Sequence, residues 1–182
     1  VRLLCNVLSF QCVWLASVWG AGQGLGWLGP AVLLVHLALH RLVAGALWAR
    51  EVRHGLYAAL LGGAGDSALQ WAGLLEFATS PWGTYFVPPW MLALWIGFST
   101  LLNHSLCWLR GRILLAIALG GAAGALTYRA AEGLGALAPL AEPAVTYGAV
   151  ALLWALALPL LAASHAPAPM KSGTQDDDHA RK

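Results

Sequence analysis

PPWMLALWIGFSTLLNHSLCWLRGR, residues 88–112, is the stretch from which the fold can be read. A double proline opens it, a run of Trp, Met, Leu, Ile and Phe follows, and Arg110 and Arg112 close it. No acid or lysine interrupts the run. A bilayer core about 30 Å thick needs about 20 apolar residues in helical form. The alternation of a barrel strand is missing, and lipid admits only helices or closed barrels. The stretch therefore predicts a membrane-crossing helix over 87–109.

Working outward, the same format recurs over 3–20, 28–49, 55–76, 113–133 and 143–163. The expected fold is an all-α integral membrane helical bundle of about six transmembrane helices, forming one domain over 1–163. Composition points the same way: 59% of the 182 residues are hydrophobic and 10% charged, with mean hydropathy +0.68. A soluble domain carries about 25% charged residues. The net charge of +2 and the lack of a basic stripe interleaved with aromatics exclude nucleic acid as a partner. The lipid bilayer is the expected partner; no protein partner is indicated. Residues 164–182, SHAPAPMKSGTQDDDHARK, change abruptly to polar composition and predict a disordered cytoplasmic tail. Asp176, Asp177 and Asp178 beside His179 read there as a solvated charge run.

Six spans put Arg2, Arg41, Arg50, Arg53, Arg110, Arg112, Lys171, Arg181 and Lys182 on one side and only Arg129 on the other. The positive-inside rule then places both termini in the cytoplasm, and the expected location is a bacterial cytoplasmic (inner) membrane. Trp19, Trp27, Trp82 and Trp90 fall near the outer interface and Trp48 and Trp108 near the inner one, as amphipathic indoles prefer. Val18-Trp19-Gly20 imitates a signal-peptide cleavage site, which would leave five spans. Gln11, Trp14 and the spans behind them favour a retained first helix. Gly120 and Gly124, and Gly62, Gly63 and Gly65, predict close helix approach. The cysteines Cys5, Cys12 and Cys107 lie in apolar segments and have no zinc-ligand spacing; they predict buried structural thiols.

Ionisable residues inside lipid point to function, because their charged forms are costly there. Asp66 lies about 16 Å into the third span at 1.5 Å per residue, with Ser67 beside it and Gln70 one turn on. Asn103, His104 and Ser105 lie about 8–10 Å inside the cytoplasmic end of the fourth, with Trp108 one turn beyond His104. A neutral imidazole serves as acid, base or metal ligand. His36 and His40, one turn apart, have the spacing of two ligands on one helix face, but two histidines leave a site incomplete, so no metal and no cofactor is expected. Arg41 is a candidate counter-charge for Asp66. Tyr128, Arg129 and Glu132 complete the set, the last two as a local i, i+3 ion pair.

The pattern resembles a family of small bacterial inner-membrane proteins known only as a domain of unknown function. The resemblance runs through Asn6, Phe10, Gln11 and Trp14, then WLGP at Trp27–Pro30 and GxxxDS at Gly62–Ser67. It continues with Pro88–Leu109, whose NHSLxWL is its most specific element, and GGAAGALTYRAAEGLGA at Gly120–Ala136. Cys107 stands where that pattern would have a basic residue, and Ala125 where it would have proline. The resemblance implies a multi-pass membrane protein and no particular activity.

Two working readings follow. In one, a small membrane enzyme acts on a lipid or isoprenoid substrate, or another apolar small molecule. Asp66 and His104 are its acid/base couple and Asn103 orients, with Gln70, Arg41, Ser67, Trp108, Tyr128 and Glu132 around the substrate. In the other, a carrier lines a polar path with Asp66 and Gln70, using Arg41 as counter-ion. An accessory subunit needs no site.

Overall fold

The structure is a computed structural model and describes residues 2–164. The expected tail falls almost wholly outside the described residues. Six α-helices account for most of them: α1 Arg2–Gly22, α2 Leu28–Ala44, α3 Trp48–Trp71, α4 Pro89–Asn103, α5 Ile113–Gly133 and α6 Pro143–Ala163. Two three-residue strands, β1 Leu75–Phe77 and β2 Leu137–Pro139, pair antiparallel with Glu76 opposite Ala138. Three helices, α1, α5 and α6, are long and apolar enough to cross a membrane.

α3 begins and ends earlier than the expected third span of 55–76, so that β1 lies where that span was expected to end, and the reason is local. Gly73 has φ +69°, a left-handed turn that suits glycine. Leu74 N–H then bonds back to Leu69 C=O at 3.1 Å, and Gly73 N–H to Gln70 C=O at 2.9 Å, the Schellman pattern of a helix end. α5 ends identically: Gly135 has φ +77°, and Ala136 N–H reaches Ala131 C=O at 3.0 Å. Both turns release an extended segment at the same end of the bundle, and those segments pair. Thr146 Oγ1 donates to Leu74 C=O at 3.0 Å and Trp90 Nε1 to Ala78 C=O at 2.9 Å, tying α6 and α4 to the ladder. Trp90 is fully buried, with its indole N–H turned to the Ala78 carbonyl.

At the opposite end, which carries Arg41, Arg50, Arg53, Arg110 and Arg112, the helices break differently. Gly45 (φ +53°) stops α2, and one 3-10 turn, Gly45–Leu47, leads straight into α3. α4 stops at Asn103, short of the expected 109, and a second 3-10 turn spans Cys107–Leu109.

Helix α4 lies against α1, α2 and α3, while α5 and α6 pack as a close pair that meets α3 through α6. Glycines set the closest approaches: a Cβ at Gly120 or Gly124 would overlap Trp154, and one at Gly62 would overlap the Trp95 indole. Trp95 and Trp154 stack with centroids 4.3 Å apart. Polarity is distributed inside out relative to a soluble bundle. Ser17, His36, His40, Glu51, His54, Asp66, Gln70 and Thr100 are buried, whereas Leu34, Leu42, Leu60, Leu114 and Leu126 are among the most exposed side chains. Cys5, Cys12 and Cys107, expected to be buried, are exposed on that outer surface.

Candidate functional site

All four histidines of the described residues (His36, His40, His54 and His104) gather at the arginine-rich end. The tight α2–α3 turn places His40, one turn before the break, beside Glu51 in the first turn of α3. His40 Nε2 lies 3.4 Å from Glu51 Oε2. The unwinding of α4 swings His104 toward the same carboxylate, with Nε2 3.7 Å from Oε1, and its ring stands edge-on to His40 at 4.9 Å. Asn103 Nδ2 donates to Glu51 Oε2 at 2.8 Å, and Arg110 folds back to donate to Asn103 Oδ1 at 3.3 Å. His54, one turn beyond Glu51, bonds through Nε2 to Leu161 C=O at 3.0 Å. Glu51, His40 and His54 are buried, and His104 is 27% exposed.

Glu51 and His54 were not anticipated from sequence. The charged run AREVRH reads as a connection between spans, and its two arginines dominate the charge count. The available signal was the i, i+3 spacing of Glu51 and His54, which puts both on one face once the helix is known to start at Trp48. His36 does not complete a pair with His40. Its ring nitrogens are used by Ser9 Oγ and Thr100 Oγ1, each at 3.0 Å, leaving the two rings merely stacked at 5.9 Å.

Asp66 belongs to a second polar centre. It is completely buried, and each oxygen accepts one bond: Oδ2 from Trp95 Nε1 at 2.7 Å and Oδ1 from Tyr128 O–H at 2.5 Å. Trp95, which its depth marks as a packing residue, is therefore also a donor. Arg41 is not the counter-ion. It is exposed and lies over the Trp48 ring at 5.6 Å. From Glu51 to Asp66 is fifteen residues of one helix, about 22 Å. Asp66 and His104 are thus in separate clusters and form no proton couple. The remaining expected contacts disperse. Ser67 Oγ accepts from Val87 N–H at 3.3 Å and holds the loop before α4. Gln70 is buried with neither amide atom hydrogen-bonded. Trp108 is exposed beneath Arg112. Glu132 pairs with Arg129, as the i, i+3 spacing predicts, and accepts from Tyr147 O–H at 2.6 Å.

Separation makes a testable statement. Asp66→Asn and His104→Gln are expected to shift unfolding free energy additively to within about 0.5 kcal/mol, as distant sites do. Denaturation of the two single variants and the double variant in mixed micelles measures this. A coupling well above that bound would mean the two groups share a site.

An apolar cleft lies between the two polar centres, lined by neither Asp66 nor His104. Helices α1 and α5 make almost no contact, and between them opens a cavity of about 550 Å³ in front of α4 and α6. Phe10, Trp95, Phe98 and Trp154 form its back wall, Tyr128 lines it toward the strand end, and Leu106 and Leu109 line it toward the arginine-rich end. Trp14, also in its wall, has an indole N–H with no hydrogen-bond partner.

Comparison with known proteins adds the family. The family model described as a protein of unknown function, DUF2878, matches residues 3–160, and the chain belongs to that family. No curated protein and no solved structure matches it.

Proposed function

We propose that this DUF2878 protein crosses a bacterial inner membrane six times, with both termini in the cytoplasm, and is a small enzyme acting on a lipid or isoprenoid molecule. In this reading the substrate's apolar chain lies in the α1–α5 cleft. Its polar end meets Asn103 and His104 at the cytoplasmic face. The cleft carries the proposal: it is a mostly apolar cavity whose lining includes Tyr128 and, in the turn that follows His104, Leu106.

Three lines of support bear on the membrane part. Three helices have the length and apolarity to span. The buried polar and exposed leucine side chains suit hydrocarbon as the surrounding solvent. The arginines flanking the two 3-10 turns gather at one end, as the positive-inside rule asks of a cytoplasmic face. α2 and α4 are short for spans at 17 and 15 residues; in a bundle, their flanking turns and neighbours cover the difference in length.

The cleft also has the chemistry of a lipid site. A mostly apolar wall with a few convergent polar groups is the usual form of a small-molecule site. The Trp14 N–H is buried beside the cleft with no hydrogen-bond partner. Tyr128 lines the cleft too, with its hydroxyl bonded to Asp66.

Native mass spectrometry of the detergent-released protein tests the binding step. The expected result is one retained lipid per chain, lost in Ala123→Phe, which fills the cleft from an exposed position on α5. No retained lipid, or equal retention by Ala123→Phe, overturns it. The catalytic step is tested by incubating the protein with an inner-membrane lipid extract. A lipid of changed mass should appear with the unaltered chain and be absent with His104→Gln.

A further inference from the structure

We propose that His40, Glu51 and His104 bind one divalent transition-metal ion. The ligand atoms of these three side chains all lie within 4.8 Å of one another. Tetrahedral ligands at zinc-like bond lengths of about 2.0–2.2 Å stand roughly 3.3 Å apart. The distances of 3.4 Å from His40 Nε2 and 3.7 Å from His104 Nε2 to the Glu51 oxygens approach that spacing.

Two further observations point to an ion. His40 is 94% buried, and its Nε2 is aimed at the carboxylate without making a hydrogen bond. A buried polar nitrogen left in that state is costly, and a cation between the rings and the carboxylate would supply the missing partner. The surroundings are those of a ligand set as well. Asn103 Nδ2 holds Glu51 Oε2 at 2.8 Å, the kind of outer contact that orients a metal-binding carboxylate. A cavity of about 150 Å³ reaches His40 and Glu51 past Ser99 and Thr100, leaving room for a water or substrate atom beside a three-ligand ion.

Two imidazoles and a carboxylate with an open position suit zinc, or iron in a site of higher coordination. Oxygen-only sets favoured by calcium or magnesium are different in kind. In this inference His104 ligates an ion instead of carrying a proton. The site stands whether or not the cleft holds a lipid.

The test uses the full chain, purified without a histidine tag, stripped with chelator and titrated with cobalt(II) as a visible probe, then with zinc in competition. The expected result is one equivalent of cobalt with ligand-field absorption, displaced by zinc. Glu51→Gln and His104→Gln should each weaken binding by more than about 100-fold, beyond the 10–100-fold typical of outer contacts, while Asn103→Ala falls within that range. Asp66→Asn and His179→Ala should bind as the unaltered chain does, the latter separating this site from the acidic tail. His104 is partly exposed, so His104→Gln keeps the test informative if Glu51→Gln fails to fold. Absent or substoichiometric binding overturns the proposal. So does binding that survives His104→Gln, or binding that is lost in His179→Ala.

Discussion

Replacing Asp66 with alanine is expected to lower the unfolding free energy by about 2–5 kcal/mol. The carboxylate accepts from two buried donors, the Trp95 N–H and the Tyr128 O–H, the latter having only a weak contact to the Met91 sulfur at 3.9 Å besides among the described residues. Each orphaned donor costs about 1–3 kcal/mol, and the lost volume adds to it. Asp66→Asn should cost less, because the amide oxygen still accepts from the Trp95 N–H and the Tyr128 hydroxyl oxygen can accept from the amide NH₂. Tyr128→Phe removes one bond and leaves one carboxylate oxygen unmet, so a double-mutant cycle with Asp66→Asn should reveal strong coupling. Unfolding by SDS in mixed micelles provides the measurement. An unchanged midpoint for Asp66→Ala would remove Asp66 from the stabilising network and leave its burial unaccounted for.

Gly62→Leu is the second large effect. The glycine sits where any Cβ meets the five-membered part of the Trp95 indole, and Trp95 is itself pinned by its bond to Asp66 and its stack on Trp154. The added side chain has to displace that ring, which breaks the bond and the stack together. Overpacking alone costs about 1–3 kcal/mol, and loss of the buried bond adds roughly another 1–3. Gly133→Ala is the matched control. It lies in the last turn of α5 with nothing near its Cβ position, so alanine should be neutral or stabilising by up to about 1 kcal/mol. The same unfolding assay compares them. Equal midpoints for Gly62→Leu and the unaltered chain would mean that the close approach of α3 and α4 is not tightly packed.

These two positions also show what could be read in advance. Gly62 stands out by its spacing with Gly63 and Gly65, which signals close approach, and Asp66 because an acid is rare in an apolar run and has few roles there beyond a satisfied polar group. Their partner was harder to anticipate. Trp95 looks like an ordinary packing residue, and nothing in its own segment says that its N–H points to α3. Helix ends were legible only in part. The three-residue ladder depends on Gly73 and Gly135 turning two chain segments toward each other, which no single segment records.

The polar centre at the arginine-rich end was less legible still. Asn103 and His104 are conspicuous in an apolar segment, and His36 and His40 are conspicuous by spacing. Glu51 is not, because acids between arginines are common in connections. Its role follows from Gly45 stopping α2 so abruptly that the residues on either side of the turn face each other.

What the residue order alone determined is the set of helices, their apolar outer faces and the sidedness of the arginines. These follow from hydrogen bonding within each segment and from the pattern of apolar and charged residues, both of which are local to the chain. Only the tertiary structure decided that His104 meets Glu51 and His40 and not Asp66, that Arg41 leaves Asp66 to Trp95 and Tyr128, and that α1 and α5 stand apart around a cleft. Rotation of each helix about its axis and the points of closest approach are set by packing between segments, and a helix's own sequence leaves those free.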